Sequence, residues 1–151
     1  MKPATHHVPP GMHAVSPYLI VKVAAKQIDF LKHVFGAEET FRHADPEGTV
    51  WHAELKIGDS IVEVADSSEK WGVLNSALHV YVPDVDAAYK RAIDAGATSA
   101  YPVKDMFYGE RSGGVKDPFG NTWYIATFKE ELTKEEIEQR SAENVKAQSQ
   151  G

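Results

Sequence analysis

The chemistry open to this chain must come from histidine, carboxylate, arginine and tyrosine side chains, because its 151 residues include no cysteine. Disulfides, thiolate metal sites and thiol nucleophiles are thereby excluded. His52 stands with Glu54 and Lys56 on the polar face of an alternating segment, and that segment pairs with the one carrying Glu63. Further on, the stretch from Asp105 to Lys116, DMFYGERSGGVK, sets Arg111 among aromatics and glycines. A guanidinium there can hold a carboxylate or phosphate by paired hydrogen bonds. Tyr108 or Phe107 can stack on a ring or line the mouth of a cleft, and glycine-rich loops are mobile and often close over ligands. The alternative is that Arg111 pairs with an acidic residue while the aromatics pack at a dimer seam. His6, His7 and His13 belong to a Pro-rich lead-in without periodicity, a composition read as flexible and solvated. The sequence holds no GxGxxG, no P-loop and no Gly-x-Ser-x-Gly, so neither nucleotide binding nor a serine hydrolase has a motif behind it.

The elements that must position these residues read as follows. Val15 to Val23 is a strand, and Ala24 to Phe35 switches to a helical period with Ala24, Ile28, Leu31, Val34 and Phe35 on one stripe. Gly36 is the natural helix stop. A short strand near Glu39 to His43 follows, then Val50 to Ile57, a two-residue turn at Gly58-Asp59, and a return strand Ser60 to Ala65. After a polar stretch the order begins again: strand Ala77 to Val82, N-cap Asp84, a helix with Val85, Tyr89, Ala92 and Ile93 on one face, and strand Thr98 to Val103. A longer loop through Met106 to Gly109 leads to a hairpin, Gly113 to Phe128, turning at Asp117-Pro118-Phe119-Gly120. Gly96-Ala97 ends the second helix as Gly36-Ala37 ends the first. The reading is an α+β chain with a duplicated β-α-β-β-β module: a lead-in over 1–14, a first module over 15–66, a linker over 67–75, a second module over 76–128, and a tail over 129–151. In that tail, Thr133 with Glu136 makes a capping box for a separate helix whose apolar face is thin.

Composition narrows the partners. Sixteen basic against 22 acidic side chains argue against nucleic acid. No apolar run approaches the ~20 residues of a membrane helix, and the N-terminus lacks the apolar core of a secretory signal. A soluble cytoplasmic protein is expected.

Four stretches, SPYLIVKVAAKQIDFLKHVFGAEE, HAELKIGDSIVEVAD, LHVYVPDVDAAYKRAIDAGA and FYGERSGGVKDPFGNTWYIATF, resemble the vicinal oxygen chelate superfamily of glyoxalase, bleomycin-resistance and extradiol dioxygenase proteins, and within it the PhnB-like branch. The resemblance implies that the two modules form an open, barrel-like cleft, with helices outside, in a homodimer. Metal-dependent members place inward His, Gln or Glu ligands on four strands. Carried over, those places align with Ser16, Glu63, Ala77 and Tyr124. Only Glu63 has metal-binding chemistry there, and one carboxylate is too few for a cation that wants three or more fixed donors.

His79 lies two residues beyond Ala77 on the same strand face, so His52, Glu63 and His79 form a second candidate set for zinc, nickel, iron or manganese. Two residues along a strand cover about 6.6 Å, whereas metal–nitrogen bonds are about 2.0–2.1 Å. His79 therefore cannot simply stand in for position 77, and the site would have to move. The other reading of the three is polar residues facing a wet cleft and bonded to one another. Glu63, beside Ile61 and Ala65, is also a candidate general base, with His79 as the second catalytic candidate. Two function classes follow. One is a lyase, isomerase or dioxygenase using Glu63 with His52 and His79, with or without metal. The other is a metal-free module that binds a small anionic or aromatic molecule through His52, Tyr108, Arg111 and Tyr124. The missing ligand positions favour it, or an enzyme without metal, whereas the polar cluster around Glu63 favours the first class.

Overall fold

The structure is a computed structural model that describes residues 1–150; Gly151, the end of the expected tail, lies outside the described residues. Two compact units divide the chain. The first comprises residues 1–76 together with Pro118–Asn121, and the second comprises Ala77–Asp117 and Thr122 onward.

The first unit runs β1 (Tyr18–Val21), α1 (Ala24–Phe35), β2 (Glu38–Ala44), β3 (Val50–Ile57) and β4 (Ser60–Asp66). Its sheet has the order β1-β4-β3-β2, with β1 parallel to β4 and the other pairs antiparallel. The alternation read from the sequence is what closes its core. Leu19, Val21, Ala53, Leu55 and Val64 point to one side and are fully buried with Ile28, Leu31 and Val34 of α1. The helix ends at Gly36, whose φ of 64° lets the chain turn back with Gly36 and Ala37 donating to the Lys32 and Leu31 carbonyls. Its start has no cap from its own chain neighbourhood. Instead Asp66, the last residue of β4, accepts from Ala24 N at 2.8 Å and from Val50 N at 2.7 Å, tying helix and strand ends together.

The turn Pro118–Asn121 is packed into this unit. The Phe119 ring meets Phe30 edge-on at 6.2 Å, and the buried Asn121 amide donates to Gln27 Oε1 at 3.0 Å while accepting from Ser76 N. That contact explains a fully buried glutamine on an otherwise apolar helix face.

The second unit repeats the plan: β5 (Ala77–Tyr81), α2 (Val85–Asp94), β6 (Thr98–Asp105), β7 (Glu110–Lys116) and β8 (Thr122–Phe128), in the order β5-β8-β7-β6. Asp84 caps α2 through Ala87 N, as its position implies. Val115, Trp123 and Ile125 are buried on the side where α2 packs, and Trp123 Nε1 donates to the buried Asp117 carboxylate at 2.9 Å. Each sheet keeps open edges, so neither closes into a barrel.

The stretch Asp105–Lys116 departs from its reading as a glycine-rich loop. Only 106–109 is a turn, and Glu110–Lys116 is a strand whose residues Ser112–Val115 are buried. Its glycines serve packing. A Cβ on Gly114 would stand 2.4 Å from the Tyr101 ring, and one on Gly113 would stand 2.7 Å from Val103. The tail forms α3 (Lys134–Ser149), capped by Thr133 Oγ1 accepting from Glu136 N, with no buried residue among those described. No helix among the described residues is long and apolar enough to cross a membrane.

Candidate functional site

In each unit the helix covers one side of the sheet, and the other side carries the residues with chemistry. On the first sheet, His52 is the centre. Its Nδ1 lies 2.9 Å from the Tyr18 hydroxyl, and its Nε2 lies 3.2 Å from Glu54 Oε1 and 3.7 Å from Glu63 Oε1. The Tyr18 and Phe41 rings flank the imidazole with centroids at 5.7 and 5.9 Å. Burial, assisted by the Glu63 charge, pushes the Tyr18 hydroxyl above its ordinary pKa, so it stays neutral and able to hydrogen-bond. A hollow of about 540 Å³, with Glu54, Lys56 and Glu63 on the sheet side and Pro9 to Met12 of the lead-in opposite, opens onto these carboxylates.

On the second sheet the corresponding side is aromatic. The Tyr101 and Tyr124 rings stack at 6.3 Å with 23° between their planes, and Tyr101 is held by a 2.8 Å hydrogen bond between its hydroxyl and Ser112 Oγ. The His79 and Tyr81 rings lie 4.6 Å apart between centroids, tilted by 33°. Glu110 receives the Tyr81 hydroxyl at 2.5 Å through one oxygen and lies 3.7 Å from His79 Nε2 through the other. That hydrogen bond, then burial and the Glu110 charge, raise the Tyr81 pKa; burial with the Glu110 charge does the same for Tyr108. A hollow of about 660 Å³ opens here, lined by His79, Tyr101, Phe107, Tyr108 and Tyr124, with Lys104 as its cation. Lys104 forms no ion pair among the described residues. Asn144 and Gln148 of α3 form another part of the wall, so the tail contributes to this site.

The sequence-derived candidates distribute between these two faces. His52 and Glu63 come together on the first sheet, whereas His79, Tyr108 and Tyr124 belong to the second unit. His79 has Glu110 as its acid partner there. Arg111 turns to the helix: it binds both oxygens of Asp86 at 2.8 and 3.0 Å and Asp105 at 3.2 Å, which holds the Asp86 carboxyl below its usual range. These bonds occupy the guanidinium fork that was a candidate for an anionic ligand.

Sequence reading did not single out Glu54, Tyr101 or Glu110. Alternation had put Glu54 on the polar face, which was the available signal. Tyr101 faces Gly114 only because the β6–β7 pairing shifts register on both sides of Tyr101, and a slip of this kind leaves no mark in a strand pattern.

Two of the four positions aligned with the ligands of metal-dependent relatives lack strong donors on a strand. Ala77 offers only a methyl group at the start of β5, and Ser16 precedes β1. A model of the glyoxalase/bleomycin resistance protein/dioxygenase superfamily matches residues 11–125. The chain belongs to that superfamily. The uncharacterized protein Mb0911c of Mycobacterium bovis is 35% identical over 136 residues, covering 83% of this chain and 90% of that one. The crystal structure of TioX from Micromonospora sp. ML1 superposes with a TM-score of 0.62 at 28% identity, over 76% of this chain and 99% of that one. A PhnB protein from Bacillus cereus shares the fold at a TM-score of 0.60 and 15% identity, over 76% and 99% of the two chains. As a member of this superfamily the chain has the fold that its four stretches implied.

Proposed function

We propose that this protein binds a small, planar, anionic aromatic molecule on the open face of its second sheet, without the metal quartet of its metal-dependent relatives. The observation that carries the reading is the Tyr101–Tyr124 pair beside a hollow of about 660 Å³ with Lys104 on its wall. Small-molecule pockets of about 300–1,000 Å³ lined by aromatic side chains with a few polar groups are the common form of such sites. The rings offer π-faces already fixed by neighbours, so little side-chain freedom is lost on binding, and Lys104 supplies the charge that an anionic substituent requires. Exposed Phe41, Tyr81 and Phe128 support the homodimer as part of the same reading, since they leave aromatic surface for a second copy to cover.

Calorimetric titration with naphthoate, against its fully saturated analogue of equal charge, tests the proposal. Naphthoate should bind about tenfold more tightly than the saturated acid, consistent with ring contacts of about 0.5–1.5 kcal/mol each, and Tyr124→Ala should erase the difference. Equal affinity for the two acids overturns it. The enzymatic alternative, in which Glu63 or His79 moves a proton, draws on the His52–Glu63 and His79–Glu110 pairs and requires turnover of a bound compound.

A further inference from the structure

The first sheet places two carboxylates side by side with one imidazole between them. Glu54 and Glu63 are direct cross-strand partners in the β3–β4 ladder. Like charges so placed destabilise an antiparallel pair. Neither carboxylate forms an ion pair with a Lys or Arg among the described residues. Lys56 shares their face of β3, yet its ammonium reaches neither within ion-pair distance. Both acids approach His52 Nε2.

The three ligand atoms lie close enough together for a single metal ion to draw them into one coordination shell. Metal–oxygen and metal–nitrogen bonds of about 2.0–2.2 Å in a tetrahedral site put neighbouring ligand atoms about 3.3–3.6 Å apart. His52 Nε2 lies 3.2 Å from Glu54 Oε1 and 3.7 Å from Glu63 Oε1, and the ligand atoms of the three residues all lie within 4.8 Å of one another. The second ring nitrogen is engaged by the Tyr18 hydroxyl, which fixes the imidazole and directs Nε2 toward the acids, as outer partners of metal-bound histidines do. The side chains are 21–30% exposed, and both carboxylates border the hollow of about 540 Å³, which gives an ion a way in and leaves a coordination position for water.

We propose that His52, Glu54 and Glu63 form a divalent-cation site of the zinc type on one face of the first sheet. It shares only Glu63 with the family's four-strand set and needs no residue of the second unit. One imidazole with two carboxylates is a donor set for a borderline transition metal rather than for calcium or magnesium, which take oxygen ligands. The proposal does not rest on ligand binding by the second sheet.

The test uses the full chain with His6, His7 and His13 replaced by alanine, so that the lead-in cannot compete for metal, and calorimetric titration with zinc chloride. One zinc per chain should bind and raise the melting temperature by mass action. His52→Ala, Glu54→Gln and Glu63→Gln should each weaken binding at least tenfold while circular dichroism shows a folded protein, and His79→Gln should leave zinc affinity unchanged. The two glutamine variants keep shape and remove only charge, so a folding failure in one leaves the other to decide. Absence of saturable binding overturns the proposal, as does undiminished binding by both glutamine variants. Loss of binding in His79→Gln overturns it too, because it would place the metal on a different set.

Discussion

The two sheets can be compared residue by residue, because each carries one row of four side chains in matching register. Across the first sheet the row reads Phe41, Glu54, Glu63, Tyr18, and across the second it reads Tyr101, Gly114, Tyr124, His79. Strand order and pairing sense are the same. The helix-facing sides are alike too, apolar and closed in both units. The open sides have diverged. Where the first row has two acids, the second has a glycine and a tyrosine, and the glycine is what allows the Tyr101 ring to lie over the strand and reach Tyr124. The repeated plan thus keeps the side that folds it and varies the open side, because a buried apolar face tolerates little change in volume whereas an exposed one is free to exchange charge for aromatic surface.

The shared side predicts the largest effect. Trp123→Ala removes the bulkiest buried side chain of the second unit and leaves the Asp117 carboxylate without its indole donor. A loss of about 3–5 kcal/mol is expected for such a truncation, read by chemical denaturation. A loss under about 1 kcal/mol would mean that the second core is not built on this residue.

The diverged side predicts a smaller and more selective one. Gly114→Ala sets a methyl group against the Tyr101 ring, and overpacking of this kind costs about 1–3 kcal/mol. Because the ring must move, naphthoate affinity should fall with it. Unchanged affinity would separate the glycine from the ligand face.

The smallest effect concerns Arg111. Its hydrogen bonds and charge hold the Asp86 carboxyl below its unfolded value of 3.8, so this contribution to stability is present above pH 3.8 and is lost as pH falls through the lower folded value. Arg111→Ala should therefore lower stability slightly at neutral pH, since Asp86 is exposed, and the deficit should vanish as pH falls below the folded value. A large drop in naphthoate affinity in the same variant would return Arg111 to the ligand site.

Much of this architecture is legible in the sequence, and the boundary between what is legible and what is not has a physical basis. Helix α1 over Ala24–Phe35 and the Asp84 cap follow from period and local capping, which depend on residues within one turn. The Asp66 tie to Ala24 and Val50, and the Asn121–Gln27 contact, join residues 16 to 94 positions apart, and no local pattern encodes them. The site divides along the same line. His52 opposite Glu63's strand could be read from alternation, whereas the Tyr101–Gly114 register depends on an irregular ladder. Glycine types are ambiguous in this respect: Gly113-Gly114 suggested a mobile loop and instead clear space for two side chains in a strand.

The most direct measurement of the central claim follows backbone amide chemical shifts during a naphthoate titration. The account predicts saturable changes at His79, Tyr101, Lys104, Ser112 and Tyr124 on the second sheet, with His52, Glu54 and Glu63 on the first unaffected. Changes confined to the first sheet, or none at either, would contradict it.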